Sequence, residues 1–314
     1  MRLIFGLLCI ATWPLSESHA WAVENPMPPE ATEPHLTLQR SACRCQRCFV
    51  AETSNFRIHC CSTADRIKEL AISCERLKSH CQATWVGDAS KEWDAKCDVV
   101  VHASAADYCR ALGPGSERTS GCSTIQLDKG QVLLRRIDLC GTAEGCFTDS
   151  LPHELTHVVL ADQFTDRRIP QWADEGIAML AESPDKLQRR LNELQGLVAM
   201  NRTMGLHELM KLDQGLPVAS RDAFYGQSVT VTGLLLERGT PEQLLRFVKV
   251  GQRHGYEQAL REVYAIESWS ELESEWRTFA GSQRLRLLAN HSIPAANGKS
   301  NSVANPLQLT VDSK

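Results

Sequence analysis

The hydrophobic pattern changes character near residue 146 of this 314-residue chain. Before that point, alternation at Phe56 and Ile58 predicts a short strand, and the apolar run 99–101 predicts a buried one. Between them, from about Thr63, a helix is predicted by an apolar stripe at helical spacing: Ile67, Leu70, Ala71, Cys74, Leu77 and Cys81. The front of the chain is therefore expected to mix strands with helices.

A β-hairpin is predicted at the end of this front part. Its strands are Thr124–Leu127 and Gln131–Leu139, and the turn is Asp128-Lys129-Gly130. We expect the hairpin to belong to a small sheet.

After residue 146 the spacing becomes almost wholly helical. One amphipathic helix is predicted around residues 187–198, another opens at Thr240 with a proline in its first turn, and a last one opens at Ser268. The expected fold class is α+β, a small mixed sheet with helices followed by a mainly helical lobe. We divide the folded part into a cysteine-rich segment, 42–146, and a helical segment, 147–290.

The two ends of the chain differ from this folded part. Residues 1–20 have the form of a secretory signal: Arg2, a short apolar core and a small-x-small site at 18–20. A retained anchor is the alternative, although the apolar run is short for a bilayer. Residues 21–41 are rich in proline and predict a flexible leader, and residues 291–314 predict a disordered tail. The protein is therefore expected to be secreted or periplasmic, with no stable membrane insertion after cleavage.

Composition adds few constraints apart from the cysteines. The net charge of -4 gives no reason to expect nucleic acid as a partner. Twelve cysteines follow the signal and none lies after Cys146, so an exported chain predicts disulfides. The alternative is a metal site at Cys43-x-Cys45-x-x-Cys48. Spacing alone does not reveal which cysteines pair.

Metal chemistry is predicted by residues 153–157, which read His-Glu-Leu-Thr-His. On a helix, His153 and His157 project from the same face, so one zinc ion can accept a nitrogen from each. Glu154 lies at the edge of that face, where it can act on a water molecule. The preceding residues Thr148, Asp149 and Ser150 are candidate caps for this helix.

A third ligand is predicted eighteen positions after His157, at Glu175. A catalytic zinc takes three protein ligands and leaves the fourth position open. Asp174 is the competing carboxylate, and about 100° separates the two on a helix, so only one can ligate. Glu175 is favoured because Gly176 would allow close helix packing.

These motifs resemble the gluzincin metallopeptidases. The segment Trp-Ala-Asp-Glu-Gly-Ile-Ala at 172–178, with Phe-Tyr-Gly-Gln-Ser at 224–228 and Glu-Leu-Glu-Ser-Glu-Trp at 271–276, is more specifically similar to the peptidase MA-like domains. The resemblance covers roughly residues 54–280 and implies a zincin-like fold with the active-site helix between sheet and lobe. The pattern departs at Met179, where thermolysin-like members place an aspartate that orients a histidine. Another residue must take this role, and Asp174 is the candidate.

The resemblance implies an activity and further roles. The protein would hydrolyse peptide bonds in peptide or protein substrates, with one Zn²⁺ per chain and Glu154 as general base. Tyr225 would donate to the oxyanion; alternatively, it is a core aromatic residue. The strand Gln131–Leu139 would form the rim of the cleft and pair with an extended peptide.

Two other functions remain open. The chain could be a non-catalytic, disulfide-rich binding module that keeps a residual zinc site. It could also be a zinc hydrolase of non-peptide amides or esters. The intact Glu154 and the open metal position weigh against the first, while the sequence does not decide on the second.

Overall fold

The structure, a computed structural model, describes residues 35–40, 48–212 and 220–282. The expected signal segment 1–20 and tail 291–314 lie outside these ranges, as do Cys43, Cys45 and most of the leader. Within the described ranges the fold is mixed α/β, with strands confined to the front part and helices throughout. No helix there is long and apolar enough to cross a membrane.

The strands form one six-stranded mixed sheet in the described residues, in the order β1-β2-β3-β4-β6-β5. Pairing is parallel between β3 and β4 and between β4 and β6, and antiparallel elsewhere. The strands are β1 (Thr37–Arg40), β2 (Cys48–Glu52), β3 (Phe56–Cys61), β4 (Cys97–His102), β5 (Gly121–Asp128) and β6 (Gln131–Cys140).

The helices pack on this sheet and then form a lobe of their own. Those of the front part are α1 (Ala64–Trp85), α2 (Ala105–Leu112) and α3 (Leu151–Leu160). Those of the lobe are α4 (Gln171–Met179), α5 (Pro184–Ala199), α6 (Leu206–Lys211), α7 (Arg221–Arg238), α8 (Pro241–His254), α9 (Tyr256–Tyr264) and α10 (Trp269–Ala280). The layout agrees with the sheet-then-helices expectation.

The core runs continuously from the sheet into the lobe. Helix α1 begins at the cap Thr63, as the spacing predicts, and its apolar stripe packs on β2 and β3. Helix α3 packs on the same layer against α1, β5 and β6. In the lobe, α7 is buried along almost its whole length and contacts α4, α5, α8 and α10. The helix carrying the histidines is therefore enclosed between sheet and lobe.

The predicted hairpin is present, but its place in the sheet differs from our expectation. Lys129 and Gly130 both have positive φ (47° and 77°), as a two-residue turn between antiparallel strands requires. Strand β6 lies between β4 and β5, and both its edges are paired from Arg135 to Leu139. The prediction that a substrate pairs along Gln131–Leu139 is therefore wrong over that part of the strand. The free edge on this side of the sheet belongs to β5, because β5 is the last strand in the order and, among the described strands, pairs with β6 alone.

The amino-terminal segment also differs from a simple leader. Thr37–Arg40, inside the range expected to be unstructured, forms β1 and pairs with β2 through four residue pairs. This edge of the sheet is the one opposite β5. The described part of the segment therefore lies away from the β5 edge and does not cover it.

The cysteines are mostly unpaired in the described residues. One disulfide joins Cys48 to Cys61 across β2 and β3, which removes Cys48 from a metal site with Cys43 and Cys45. Eight others are free thiols: Cys60, Cys74, Cys81, Cys97, Cys109, Cys122, Cys140 and Cys146. Cys74 and Cys81 point into the core as expected, but they pack there as small apolar side chains. The expectation of disulfides is confirmed for Cys48–Cys61, while the eight other described cysteines do not pair.

Candidate metal centre

Helix α3 begins directly from a π-helical turn at Cys146–Ser150 and needs no side-chain cap. The amides of Asp149 and Ser150 both donate to the carbonyl of Gly145. Ser150 makes no capping hydrogen bond, and the Asp149 carboxylate instead accepts from the amide of Ser183 at 2.8 Å. The predicted caps are therefore wrong. Asp149 ties the start of α3 to the segment that follows α4.

The two histidines of α3 face the same cavity. His153 and His157 are one helical turn apart, and their ring centroids are 4.8 Å apart in an edge-to-face arrangement. Both are largely buried, in a helix whose other side chains pack into the core. Their position therefore follows from the helical spacing and from burial of the whole helix.

Glu175 reaches these histidines because α4 packs very closely on α7. A Cβ atom added at Gly176 would lie 2.6 Å from the carbonyl oxygen of Ser228 and would also collide with the hydroxyl of Thr232. A side chain here would force the two helices apart. The expectation that Gly176 permits close packing is confirmed, and this contact sets the depth of the neighbouring Glu175.

His153, His157 and Glu175 form a group that could hold a metal ion. One potential ligand atom from each lies within 4.8 Å of the other two. His153 Nε2 lies 3.4 Å from Glu175 Oε2. The group is the one that the sequence predicts, and Asp174 is not part of it.

Asp174 instead orients His157. Its Oδ1 lies 2.7 Å from His157 Nδ1, a short hydrogen bond that leaves Nε2 directed at the cavity. A carboxylate behind a ligating imidazole fixes the ring orientation and makes the free nitrogen a better donor to a metal. The role suggested for Asp174 by the departure at Met179 therefore has a geometric basis.

His153 has a different partner, Glu182, which we did not predict. Glu182 Oε1 lies 3.0 Å from His153 Nδ1, a contact between charged groups rather than a well-aligned hydrogen bond. The carboxylate is almost fully buried and is held by Lys186 at 3.1 Å and by Arg190 at 3.0 and 3.3 Å. No local motif marks Glu182, since it follows α4 in a short connection to α5.

Carboxylates therefore surround both histidines and shift their ionisation. Burial, the largest effect, lowers the pKa of His153, but Glu175 and Glu182 outweigh it and raise the value to about 10. Burial likewise opposes the effect of Asp174 on His157, whose pKa rises to about 9. Burial also raises the pKa of Glu182, yet His153, Arg190 and Lys186 bring it down to about 2. The pKa of Glu175 is lowered as well: burial opposes this, but the nearby His153 and His157 outweigh it. The negative charge of Glu175 and Glu182 therefore favours a cation in the cavity.

Glu154 lies beside the metal group at the beginning of β5. A Cβ atom added at Gly121 would lie 2.8 Å from Glu154 Cγ and 3.0 Å from Oε1, so only glycine fits there. The Glu154 side chain is largely buried and lines the cleft that contains His153, His157 and Glu175.

Tyr225 faces the same cleft from α7. Its ring lies 5.4 Å from Phe224, and the Arg190 guanidinium lies over it at 5.6 Å. Burial, followed by the charge of Glu175, raises the pKa of its hydroxyl, so the group stays protonated. The side chain packs against the core and also lines the cleft.

The cleft itself is large and open. Its volume is about 1400 Å³, and it runs from Gly115–Ser120 past the metal group to Phe164 and Arg168. Gly121, Ser123, Ile125 and Leu127 of the edge strand β5 form one wall. The opening therefore offers unpaired strand backbone next to the candidate metal ligands.

Comparisons with known proteins give no relative: a scan of family models, a search of curated proteins and a search of solved structures each found no match to this chain.

Proposed function

We propose that the protein is a zinc metallopeptidase with a zincin-like fold of the gluzincin type. The observation that carries the proposal is the convergence of His153, His157 and Glu175, with Glu154 beside them, in one open cleft. A predicted motif could occur by chance, but its distant third ligand would not then reach the same cavity.

Zinc is the favoured metal because of the donor set. Two imidazoles and one carboxylate are a common catalytic zinc set, and they leave a fourth position open. Tetrahedral zinc with ligands at about 2.0–2.1 Å would hold pairs of ligand atoms roughly 3.3 Å apart. The 3.4 Å separation of His153 and Glu175 fits that requirement. The partners Asp174 and Glu182 then keep both Nδ1 atoms away from the metal.

The residues of the cleft suit hydrolysis of an amide. A bound zinc ion would polarise the scissile carbonyl and increase the acidity of a water molecule. Glu154 accepts the proton of that water as it attacks and passes the proton to the leaving amine. Tyr225, protonated and facing the cleft, donates a hydrogen bond to the oxygen that becomes negative.

The shape of the cleft favours a polypeptide substrate. Its volume of about 1400 Å³ exceeds the roughly 300–1000 Å³ typical of pockets for small molecules. The free edge of β5 can hydrogen-bond an extended peptide by strand addition, which places that peptide along the metal group. This strand takes the role that we first expected of Gln131–Leu139.

Replacing Glu154 with Gln tests the general-base role directly. The variant should keep its zinc, because Glu154 is not among the three ligands, while peptide hydrolysis falls roughly a hundredfold to ten-thousandfold. Zinc content measured by atomic absorption, together with turnover of a mixed peptide library, separates the two effects. Unchanged hydrolysis would show that another group takes the proton.

Replacing Glu175 with Ala tests the ligand set instead. The loss of one of three ligands should lower the zinc content of the purified protein and its activity together. Asp174→Ala is the matched comparison: it removes the neighbouring carboxylate, which orients His157 but is not a ligand, so zinc content should fall less than in Glu175→Ala. Stoichiometric, tightly held zinc in the Glu175→Ala variant would remove Glu175 from the metal centre.

Two alternatives give different outcomes in the same assays. A non-catalytic binding module would hold zinc but release no products from the library, whereas a hydrolase of other amides or esters would be active only on those compounds. Turnover that stops with a chelator and returns with zinc is expected for the peptidase. Export to an oxidising compartment also belongs to the proposal, supported by residues 1–20 and by the Cys48–Cys61 disulfide.

A further inference from the structure

Four arginines surround the candidate active site: Arg118, Arg167, Arg168 and Arg221. All four line the large cleft together with the metal group. They come from separate parts of the chain, namely the turn before β5, the connection between α3 and α4, and the first residue of α7. The fold therefore collects this positive charge, whereas no single basic run of sequence creates it.

These charges have little local compensation. None of the four arginines has a carboxylate within ion-pair distance in the described parts of the chain. Arg167 donates to the carbonyl of Gln252 at 2.6 Å, a neutral acceptor that leaves its charge uncompensated. The acidic side chains that line the cleft are Asp222, the three carboxylates at the metal group (Glu154, Asp174 and Glu175), and Glu182, which is paired with Lys186 and Arg190.

The charge of these four arginines is opposite in sign to the net charge of the whole chain. The protein carries a net charge of -4, so the gathering of these four arginines in one cleft is not a consequence of a basic composition. A cleft with walls of low dielectric constant concentrates the field of its charges and selects ligands of the opposite sign. Arginine is also suited to this task, because its planar guanidinium binds carboxylates through two parallel hydrogen bonds.

The distribution of charge within the cleft identifies the kind of anion. Arg118, Arg167 and Arg168 are exposed and Arg221 is partly buried, which places the arginines toward the rim. The carboxylates at the metal group, Glu154, Asp174 and Glu175, are partly or largely buried and lie deeper. A nucleic acid carries a phosphate at every step and would place some of them against these carboxylates. An acidic peptide can instead place a neutral scissile bond in the middle and its carboxylate side chains on either side.

We propose that the cleft selects peptides with glutamate or aspartate flanking the scissile bond, and that Arg118, Arg167, Arg168 and Arg221 determine this preference. The inference rests on the proposed peptidase function and adds the substrate class. Arg221 is the residue nearest the chemistry, since it lies one helical turn before Tyr225 on the same side of α7.

The test is binding of paired peptides to the zinc-loaded Glu154→Gln protein, which separates recognition from turnover. The two peptides have the same sequence except that glutamates on both sides of the central bond are replaced by glutamines. Fluorescence anisotropy should show about tenfold tighter binding of the glutamate peptide at low salt. The difference should shrink as ionic strength rises, because exposed charges are screened.

Arginine variants in the same background locate the preference. The double change Arg167→Gln and Arg168→Gln, and separately Arg221→Gln, should each reduce the ratio of the two affinities severalfold with little effect on the glutamine peptide. Arg261→Gln is the matched control, since Arg261 is exposed on α9 and does not line the cleft. It should leave the ratio unchanged.

Three results would overturn the inference. These are equal affinity for the two peptides, no detectable binding of the glutamate peptide, and tighter binding of a single-stranded oligonucleotide than of that peptide. Hydrolysis of neutral peptides by the unmodified protein, together with equal affinities, would leave the peptidase proposal intact while the substrate class fails. Preferential binding of the glutamate peptide without any hydrolysis would support recognition of acidic peptides and contradict the peptidase proposal.

Discussion

His153 and His157 lie on the same helix, one turn apart, yet their surroundings differ. His157 hydrogen-bonds Asp174, which is part of the helix that also carries Glu175 and remains partly exposed. His153 contacts Glu182, which is 1 % exposed and is itself held by two cations. His157 therefore has a partly exposed partner, whereas His153 depends on a buried ionic cluster.

The difference predicts which of the two carboxylates stabilises the fold as well as the metal site, and which one affects metal binding alone. A carboxylate that remains in contact with water can be removed without leaving an unpaired buried charge. A carboxylate buried between a histidine, a lysine and an arginine cannot, because those partners lose their compensation. The two histidines should therefore respond alike in metal affinity and differently in folding stability.

The largest effect is expected for Glu182→Ala. The change leaves Arg190 and Lys186 without their carboxylate, and we expect the metal-free protein to lose about 3 kcal/mol of unfolding free energy, because both cations keep partial contact with water. Zinc affinity should also fall about 10- to 100-fold as His153 loses its support. Urea unfolding and zinc titration measure the two losses separately.

Glu182→Gln is the matched control, since it keeps the shape and removes the charge. Its stability should lie between those of the parent and the alanine variant. If Glu182→Ala were as stable as the parent protein, the buried cluster would not stabilise the fold and the comparison of the two histidines would fail.

A smaller effect is expected for Asp174→Ala. Zinc affinity should again fall about 10- to 100-fold, because Nδ1 of His157 loses the acceptor that fixes the ring. Stability of the metal-free protein should change by no more than about 1 kcal/mol, as is usual for a partly exposed pair. Asp174→Asn keeps a hydrogen-bond acceptor and should retain more affinity. A loss of stability equal to that of Glu182→Ala would contradict the distinction.

The same two carboxylates show how far the sequence could predict this centre. His153, His157, Glu175 and Asp174 lie within two short helical motifs, where the helical repeat alone determines which side chains share a face. Glu182 lies in a connection without periodicity. Its role depends on how this connection lies against the start of α3, where the amide of Ser183 also donates to Asp149, a contact between distant parts of the chain that no local pattern encodes.

The fold likewise contains elements that the local sequence predicts and features that it does not. Helix α1 and the β5–β6 hairpin follow from local spacing and turn chemistry, and both were predicted. The strand that provides the free edge was not, because edge position depends on the order of strands in the sheet and not on the sequence of any one strand. Likewise, the helical spacing places a cysteine on the buried face of a helix whether it forms a disulfide or remains a thiol. The free Cys74 and Cys81 could therefore not be distinguished from disulfide partners.

The smallest effects concern the cations that hold Glu182. Arg190 binds this carboxylate through two nitrogens and also covers the ring of Tyr225, whereas Lys186 makes one contact with it. Arg190→Gln should therefore cost about 1–2 kcal/mol of stability, and Lys186→Gln, which removes a single half-exposed contact, less than about 1 kcal/mol.

The two changes should also differ in catalysis, which makes them a matched pair. Both weaken the support of His153, but Arg190→Gln additionally frees the Tyr225 ring, so kcat for a peptide substrate should fall several times more than for Lys186→Gln when both proteins are saturated with zinc. Adding Tyr225→Phe to each variant tests this origin. The excess loss should disappear in the Tyr225→Phe background, because residues that act through the same contact are not additive. An undiminished excess would mean that Arg190 acts through Glu182 alone.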